Sequence, residues 1–487
     1  ESTNGSKNLI ASNNGADGMN FQGDMTITNM NIQTNSNGGT NTTYDGIENT
    51  AKLTIAGNGS TVLQATGNGG AGITSYTSNA ALNISDMNID LSDNEYGMVV
   101  GSSGATISST SGENVLSVTG NKSYGVNVSG SGTSLTLENM DAELKNNGNI
   151  ALNASGTALN ISSASGNNKM VFDNNTDNSF YAVNTNTTID KMNIYISNTT
   201  SSNSTAIGMS THGVFEMTGN GSNVLSIETS DRGLHIANSD TDSHYATIKD
   251  YNLNFANNTA YGIWVNDSVG TISSTNKNNQ MYFAGNGKSI YLQSEGNTNA
   301  TNTGLNINGM QMMSNDAIFA TVEGSASFSS TLNMQDSTLN LNGSNQIVYD
   351  LNKGVLTLSN VTQTGAAPTT LIQNTGTSSF GASNNSFMVG KITDNGQLTG
   401  SLNSGSTWKM LDNSNIYALA VNNAAVDMRS QTSGEYNTLT IGNSLSGTNN
   451  ATVYMNTNLD EPQSTDQIVL LTGGRTTGTT NLNITNT

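Results

Sequence analysis

The chain has 487 residues, with 15 Lys and Arg against 35 Asp and Glu, a formal net charge of −20, no cysteine and two prolines. That balance excludes non-specific nucleic-acid binding, which needs clustered Lys and Arg, and the lack of cysteine excludes disulfides and thiol chemistry. Charged residues are 10% of the chain, against about 25% in ordinary globular proteins, so Asn, Thr, Ser and Gly must keep it soluble.

No apolar stretch approaches the roughly 18 residues that cross a bilayer as a helix. Glu1 is not an initiator and nothing resembles a signal peptide, so the chain reads as a mature or trimmed fragment. Residues 1–20 form a polar, Asn-rich N-terminal lead-in. From there to Glu323 two apolar ladders repeat. One is Met30-Asn31-Ile32, Met87-Asn88-Ile89, Met140-Asp141-Ala142, Met192-Asn193-Ile194, Tyr251-Asn252-Leu253 and Met310-Gln311-Met312, at intervals of 57, 53, 52, 59 and 59 residues. Between its copies run Leu63-Gln64-Ala65, Leu116-Ser117-Val118, Met170-Val171-Phe172, Leu225-Ser226-Ile227 and Met281-Tyr282-Phe283, at intervals of 53, 54, 55 and 56. Disorder, which so polar a composition would otherwise allow, does not keep two ladders in step.

Within each copy apolar and polar residues alternate, as at Met87, Ile89 and Leu91, which is the period of a strand. Asn, Gly, Ser and Thr clusters such as Gly67-Asn68-Gly69-Gly70 then turn the chain. Two ladders per period imply two coils of about three short strands each. The expected fold is therefore all-β, a right-handed parallel β-helix in a single elongated domain, of roughly 18 to 20 coils. Twenty side chains are expected to stack inward, among them Ile32, Leu63, Ile89, Leu116, Phe172, Leu225, Met281 and Met312. Second strands such as Gly97-Met98-Val99-Val100 and Gly262-Ile263-Trp264-Val265 open on a glycine, which marks corners where coils approach closely. The helix extends over 21–405. Alternation persists at Leu332, Met334, Leu339, Leu341, Leu356 and Leu358, and the Gly-, Ser- and Asn-rich stretch Ser378 to Gly396 is expected to be a bent or loosened coil.

From Ser406 the texture changes. Ser406-Thr407-Trp408-Lys409-Met410, Asn413-Ser414-Asn415-Ile416, Val426-Asp427-Met428, Tyr436-Asn437-Thr438-Leu439-Thr440-Ile441 and Thr465-Asp466-Gln467-Ile468-Val469-Leu470 follow in order, and the chain closes on Asn481-Leu482-Asn483-Ile484. This order resembles the pertactin-like C-terminal cap, the autochaperone region, of bacterial autotransporter passenger domains. The resemblance makes 406–487 the cap and implies that it nucleates folding outside the cell, ahead of an outer-membrane barrel that does not follow Thr487. A solenoid end needs such a cap to cover its last apolar face, and Trp408 suits a large core plug there.

A catalytic site has no sequence support. Asp90, Asp93 and Glu95 are close together but lack an accompanying Arg or Lys, and read as a solvated acidic turn. The three histidines, His212, His235 and His244, accompany no nucleophile elbow and no zinc spacing. No catalytic residue, metal site or cofactor is expected, and the chain is expected not to be an enzyme. What remains is surface, with Tyr44, Tyr96, Tyr124, Tyr181, Tyr245, Tyr282 and Tyr291 outward.

Extra residues collect at Gln33 to Tyr44, Asn198 to Thr205, Asn238 to Tyr245 and Glu295 to Thr303, and solenoid insertions often carry binding. The third holds the densest mix of charge and aromatic groups. The candidate ligand-binding residues are Asp240, Asp242, His244, Tyr245, Lys249 and Arg232. Together with the resemblance, these features lead to an adhesin at the bacterial cell surface, exposed on the outer membrane or secreted. Its expected partners are host matrix glycoproteins, fibronectin-like, or glycans such as glycosaminoglycans. The alternative is a chain that pairs with copies of itself and promotes aggregation and biofilm. A third reading, an enzyme acting on polysaccharide, lacks a site.

Overall fold

The computed structural model describes residues 7–39, 41–102, 104–201, 204–210, 213–237, 245–295, 303–343, 346–430, 432, 434–461 and 464–487. The chain is all β, a parallel β-solenoid of about 17 turns, with no helix among the described residues. The expected 18 to 20 turns overshoot because some coils are long: Gln33 and Gln64, in register on neighbouring coils, are 31 residues apart. The residues form two compact units, Glu1–Asn238 with His244–Asn254, and Ser239–Ser243 with Phe255–Thr487.

In the first unit each coil gives strands to two parallel sheets, such as Val115–Thr119 to one and Val126–Ser129 to the other. Ile32 pairs with Leu63, Leu63 with Ile89, Ile89 with Leu116, Leu116 with Ala142, Ala142 with Met170, Met170 with Ile194 and Ile194 with Leu225. The two sequence ladders are thus alternate members of one buried column. All twenty side chains expected to face inward are buried, and their polar neighbours alternate outward. Each fully buried Leu or Ile contributes about 1.5–3 kcal/mol, and only the neighbouring coils supply its contacts.

A second buried column is polar. Asn37, Asn68, Asn94, Asn121, Asn147 and Asn175 succeed one another, each Nδ2 donating to the Oδ1 of the next at 2.9–3.4 Å. The same Oδ1 atoms accept the preceding backbone N–H, and each Nδ2 also reaches a carbonyl of a preceding coil, as Asn121 does to Leu91 at 3.0 Å. Asparagine is required because its amide donates and accepts at once, which satisfies the bend without burying a charge. The corner glycines stack too: a Cβ on Gly97 would meet the carbonyl oxygen of Gly125 and a side-chain carbon of Val118. Close approach, as the sequence implies, fixes glycine there.

In the second unit Met281 pairs with Met312, Met312 with Leu339 and Leu339 with Gln363. Gln363 is buried, and its amide is used in both directions by the Val389 backbone, at 2.9 and 3.2 Å. An aromatic spine runs Phe255, Phe283, Phe319, Tyr349, with ring centroids 5.4–6.1 Å apart. A shorter amide ladder, Asn258 to Asn286, ends on the buried carboxylate of Asp316, which also accepts from Ser289. The stretch 378–396 is not loosened. Thr377–Ser383, Phe387–Val389 and Ile392–Asp394 pair in register with the coils around them. Its asparagines Asn384 and Asn385 sit in a turn, where both adopt positive φ. Trp408 is fully buried, and its Nε1 donates to the Gly390 carbonyl at 2.9 Å.

Candidate functional site

The candidate ligand-binding residues that the structure describes, Arg232, Tyr245 and Lys249, lie on two different sheets. Asp240, Asp242 and His244 lie outside the described residues. Arg232 opens the strand Arg232–Ala237 on one sheet, whereas Tyr245 and Lys249 bound Tyr245–Lys249 on the other. Tyr245 is exposed, opposite Val214, and Arg232 lies 3.7 Å from the Asp231 carboxylate. His235 faces outward in register with Gly208, as its neighbours Leu234 and Ile236 require. Burial and then the nearby Arg232 hold its pKa down to about 3, so it stays uncharged at neutral pH.

Among the described residues, an outward cluster of rings and charges lies in the second unit. Tyr261–Asn266, Lys288–Gln293 and Ile318–Glu323 are successive strands of the second sheet. Ile263 and Val265 fill the core, so alternation turns Trp264 outward, while the alternation breaks at the buried Gly262 and leaves Tyr261 half-buried at the surface. Register then places Lys288 beside Tyr261 and Tyr291 beside Trp264. Tyr261 stacks on Tyr291 with centroids 4.6 Å apart, and Trp264 lies 5.7 Å from Tyr261 and 6.4 Å from Tyr291. Lys288 Nζ sits 4.6 Å from the Tyr291 centroid, a cation–π contact. Tyr291 donates its hydroxyl to Glu323 Oε2 at 2.7 Å.

These contacts make Tyr291 a pillar rather than a ligand-facing ring. It is only 7% exposed, covered by its outward neighbours. Burial, and then the Glu323 carboxylate, push its pKa far above the ordinary tyrosine value, so it remains a hydrogen-bond donor. Asp350, two coils on from Tyr291 in the same outward column, is pushed up by burial, while Lys288 pulls it down and Glu323 raises it further. Tyr261 and Trp264 keep partly open faces with a lysine and carboxylates at their margin. Such a platform can stack on sugar rings or pack at a protein interface. Sequence reading named Tyr291 and missed Tyr261, Trp264, Lys288 and Glu323. The available signal was the coil length: Trp264 and Tyr291 each alternate with buried aliphatic residues, one coil apart.

The C-terminal coils have their own fastenings. Arg429 holds both oxygens of Asp427, at 2.8 and 3.0 Å, and lies 4.8 Å over the Tyr454 ring. Asp466, pushed up by burial, accepts the backbone N–H groups of Asn437 and Asn456, both at 2.6 Å. Among the described residues, no group of three or more His, Asp or Glu is placed to hold a metal ion, and no helix is long and apolar enough to cross a membrane.

Residues 414–487 match the family described as Autochaperone Domain Type 1. No curated protein matches the chain. An autochaperone domain implies secretion to the cell surface or beyond it. A parallel β-solenoid that ends in an autochaperone cap is the organisation of an autotransporter passenger domain, and this chain is built that way.

Proposed function

We propose that this passenger is an adhesin, displayed at the bacterial surface or released from it, and that it binds host matrix glycoproteins of the fibronectin kind or their glycans. The observation that carries this reading is the outward Tyr261, Trp264 and Tyr291 cluster bordered by Lys288 and Glu323. Aromatic residues concentrate binding energy, and the stacked pillar holds the two outer rings in place without a ligand, which lowers the ordering cost of capture. With a net charge of −20, binding to a sulfated glycosaminoglycan works against the overall field and is weak and salt-sensitive. The reading assigns the chain no catalysis and no cofactor. The test is binding of the purified chain to immobilised fibronectin and to a glycosaminoglycan at low and raised salt. Binding weakened at least about tenfold by Trp264→Ala supports the reading, and equal binding by the variant removes it.

A second reading, self-association, is favoured by a separate observation. Outward amides line up coil after coil in the first unit, as Gln33 and Gln64 do at 2.8 Å, with Gln64 donating on to the Asp90 carboxylate at 3.3 Å, and Asn153 and Asn127 at 2.8 Å. Such columns could pair with those of a second copy. Concentration-dependent dimerisation of the purified chain, abolished by Gln64→Lys, supports it; a monomer at all concentrations removes it.

A further inference from the structure

The first sheet of the second unit carries a groove unrelated to the aromatic cluster. Two adjoining cavities of about 310 and 300 Å³ meet at Thr364. Their floor is one outward column. Tyr282 pairs with Met313, Met313 with Asn340 and Asn340 with Thr364. Thr362 opposite Phe387 brings Val389 next, and Val389 pairs with Lys409. Gln311 and Phe387 line the neighbouring column, and the Gly365-Ala366-Ala367 turn lines one end.

Three features decide what fits. The floor repeats once per coil, at about 4.7–4.9 Å. An extended peptide presents side chains to one face about every 6.6 Å, so it loses step within a few coils. Nor can a peptide add to this surface as a strand, because Gln311–Ser314 already pairs on both sides, with Gln280–Ala284 and Thr338–Leu341. A pyranose with its glycosidic oxygen advances a glycan by close to one coil. The second feature is the chemistry of the floor. Amides and hydroxyls both donate and accept, which hydroxyl groups of sugars need, and Tyr282 and Phe387 supply ring faces for their C–H faces. Asn340 is half-buried and makes no side-chain hydrogen bond among the described residues.

The third feature is charge. Lys409 lines one end of the groove and forms no ion pair among the described residues, since Asp427, next in register, is held through both oxygens by Arg429. One lysine in a chain of net charge −20 suits a single carboxylate and not a polyanion. We propose that this groove binds an oligosaccharide of neutral sugars ending in one carboxylated sugar, laid across successive coils with the carboxylate at Lys409. The site stands apart from the adhesin reading, and Trp264→Ala leaves it intact, so the two fail separately.

The test titrates lacto-N-tetraose, and the same tetrasaccharide bearing one terminal sialic acid, into the full chain by calorimetry. The sialylated sugar should bind roughly tenfold more tightly, the scale of one charge-assisted hydrogen bond. Lys409→Met should erase that difference and leave the neutral sugar unaffected. Tyr282→Ala and, independently, Asn340→Ala should each weaken both sugars several-fold with unchanged circular dichroism. Failure of both sugars to bind the unaltered chain, or a sialic-acid preference that survives Lys409→Met, overturns the proposal.

Discussion

Asn121 donates its Nδ2 to Asn147 Oδ1 at 3.0 Å, while its own Oδ1 accepts the Asn94 backbone N–H at 3.1 Å. The amide therefore ties three coils together at a fully buried bend, where no water can substitute for it. Asn121→Ala should cost about 2–4 kcal/mol, because it removes the acceptor of one buried N–H and the donor to another amide. Asn127→Ala, which breaks the outward bond from Asn153, should cost under about 1 kcal/mol. Denaturant unfolding of the two variants checks this, and equal losses would refute the distinction.

The apolar column makes a sharper test of register. Leu225 is fully buried and paired with Ile194, while Val224 beside it is half-buried on the outer surface. Leu225→Asp places an unpaired carboxylate in the core and should cost at least about 3 kcal/mol. Val224→Asp should cost under about 1 kcal/mol. Both are read from the unfolding midpoint, and the reverse ranking would mean that the strand is out by one residue.

Asp45 sets a pH dependence. Burial, opposed by hydrogen bonds from Thr74 and the Ala71 N–H and reinforced by Asp17 and Glu48, raises its pKa from 3.8 to about 6. Below about pH 4 the carboxyl is protonated in both folded and unfolded chains. Between about pH 4 and 6 the unfolded chain loses the proton first, so local stability falls as pH rises. The loss is complete above about pH 6 and amounts to about 3 kcal/mol at most. Asp45→Asn keeps an acceptor for the Ala71 N–H and should abolish this slope. Hydrogen-exchange protection of the Ala71 amide, corrected for intrinsic exchange, gives the readout; protection in the native protein that rises from pH 4 to 6 would contradict the assignment.

Strand alternation carried most of the fold in the sequence. Once Met87, Ile89 and Leu91 are read as a strand, the inward set follows, and the period gives the stacking of Leu63 on Ile32 and Leu116 on Ile89. Composition misled at 378–396, where Asn384 and Asn385 serve tight turns inside a regular coil. The aromatic cluster was harder to see. It depends on Trp264 meeting Tyr291 across one coil, and coil lengths that vary with each turn hide such pairs from a local reading. Charge density in one inserted segment points to Asp240, Asp242 and Tyr245, of which Tyr245 alone lies among the described residues, at the start of Tyr245–Lys249.

We infer that the outward aromatic cluster makes this passenger a binding protein. The most direct test is capture, on immobilised fibronectin, of cells that display the chain, with settling of the same cells in suspension as a second readout. Capture without settling is expected, with a loss of at least about tenfold for Trp264→Ala at equal display. Undiminished capture by that variant, or settling without capture, would contradict it.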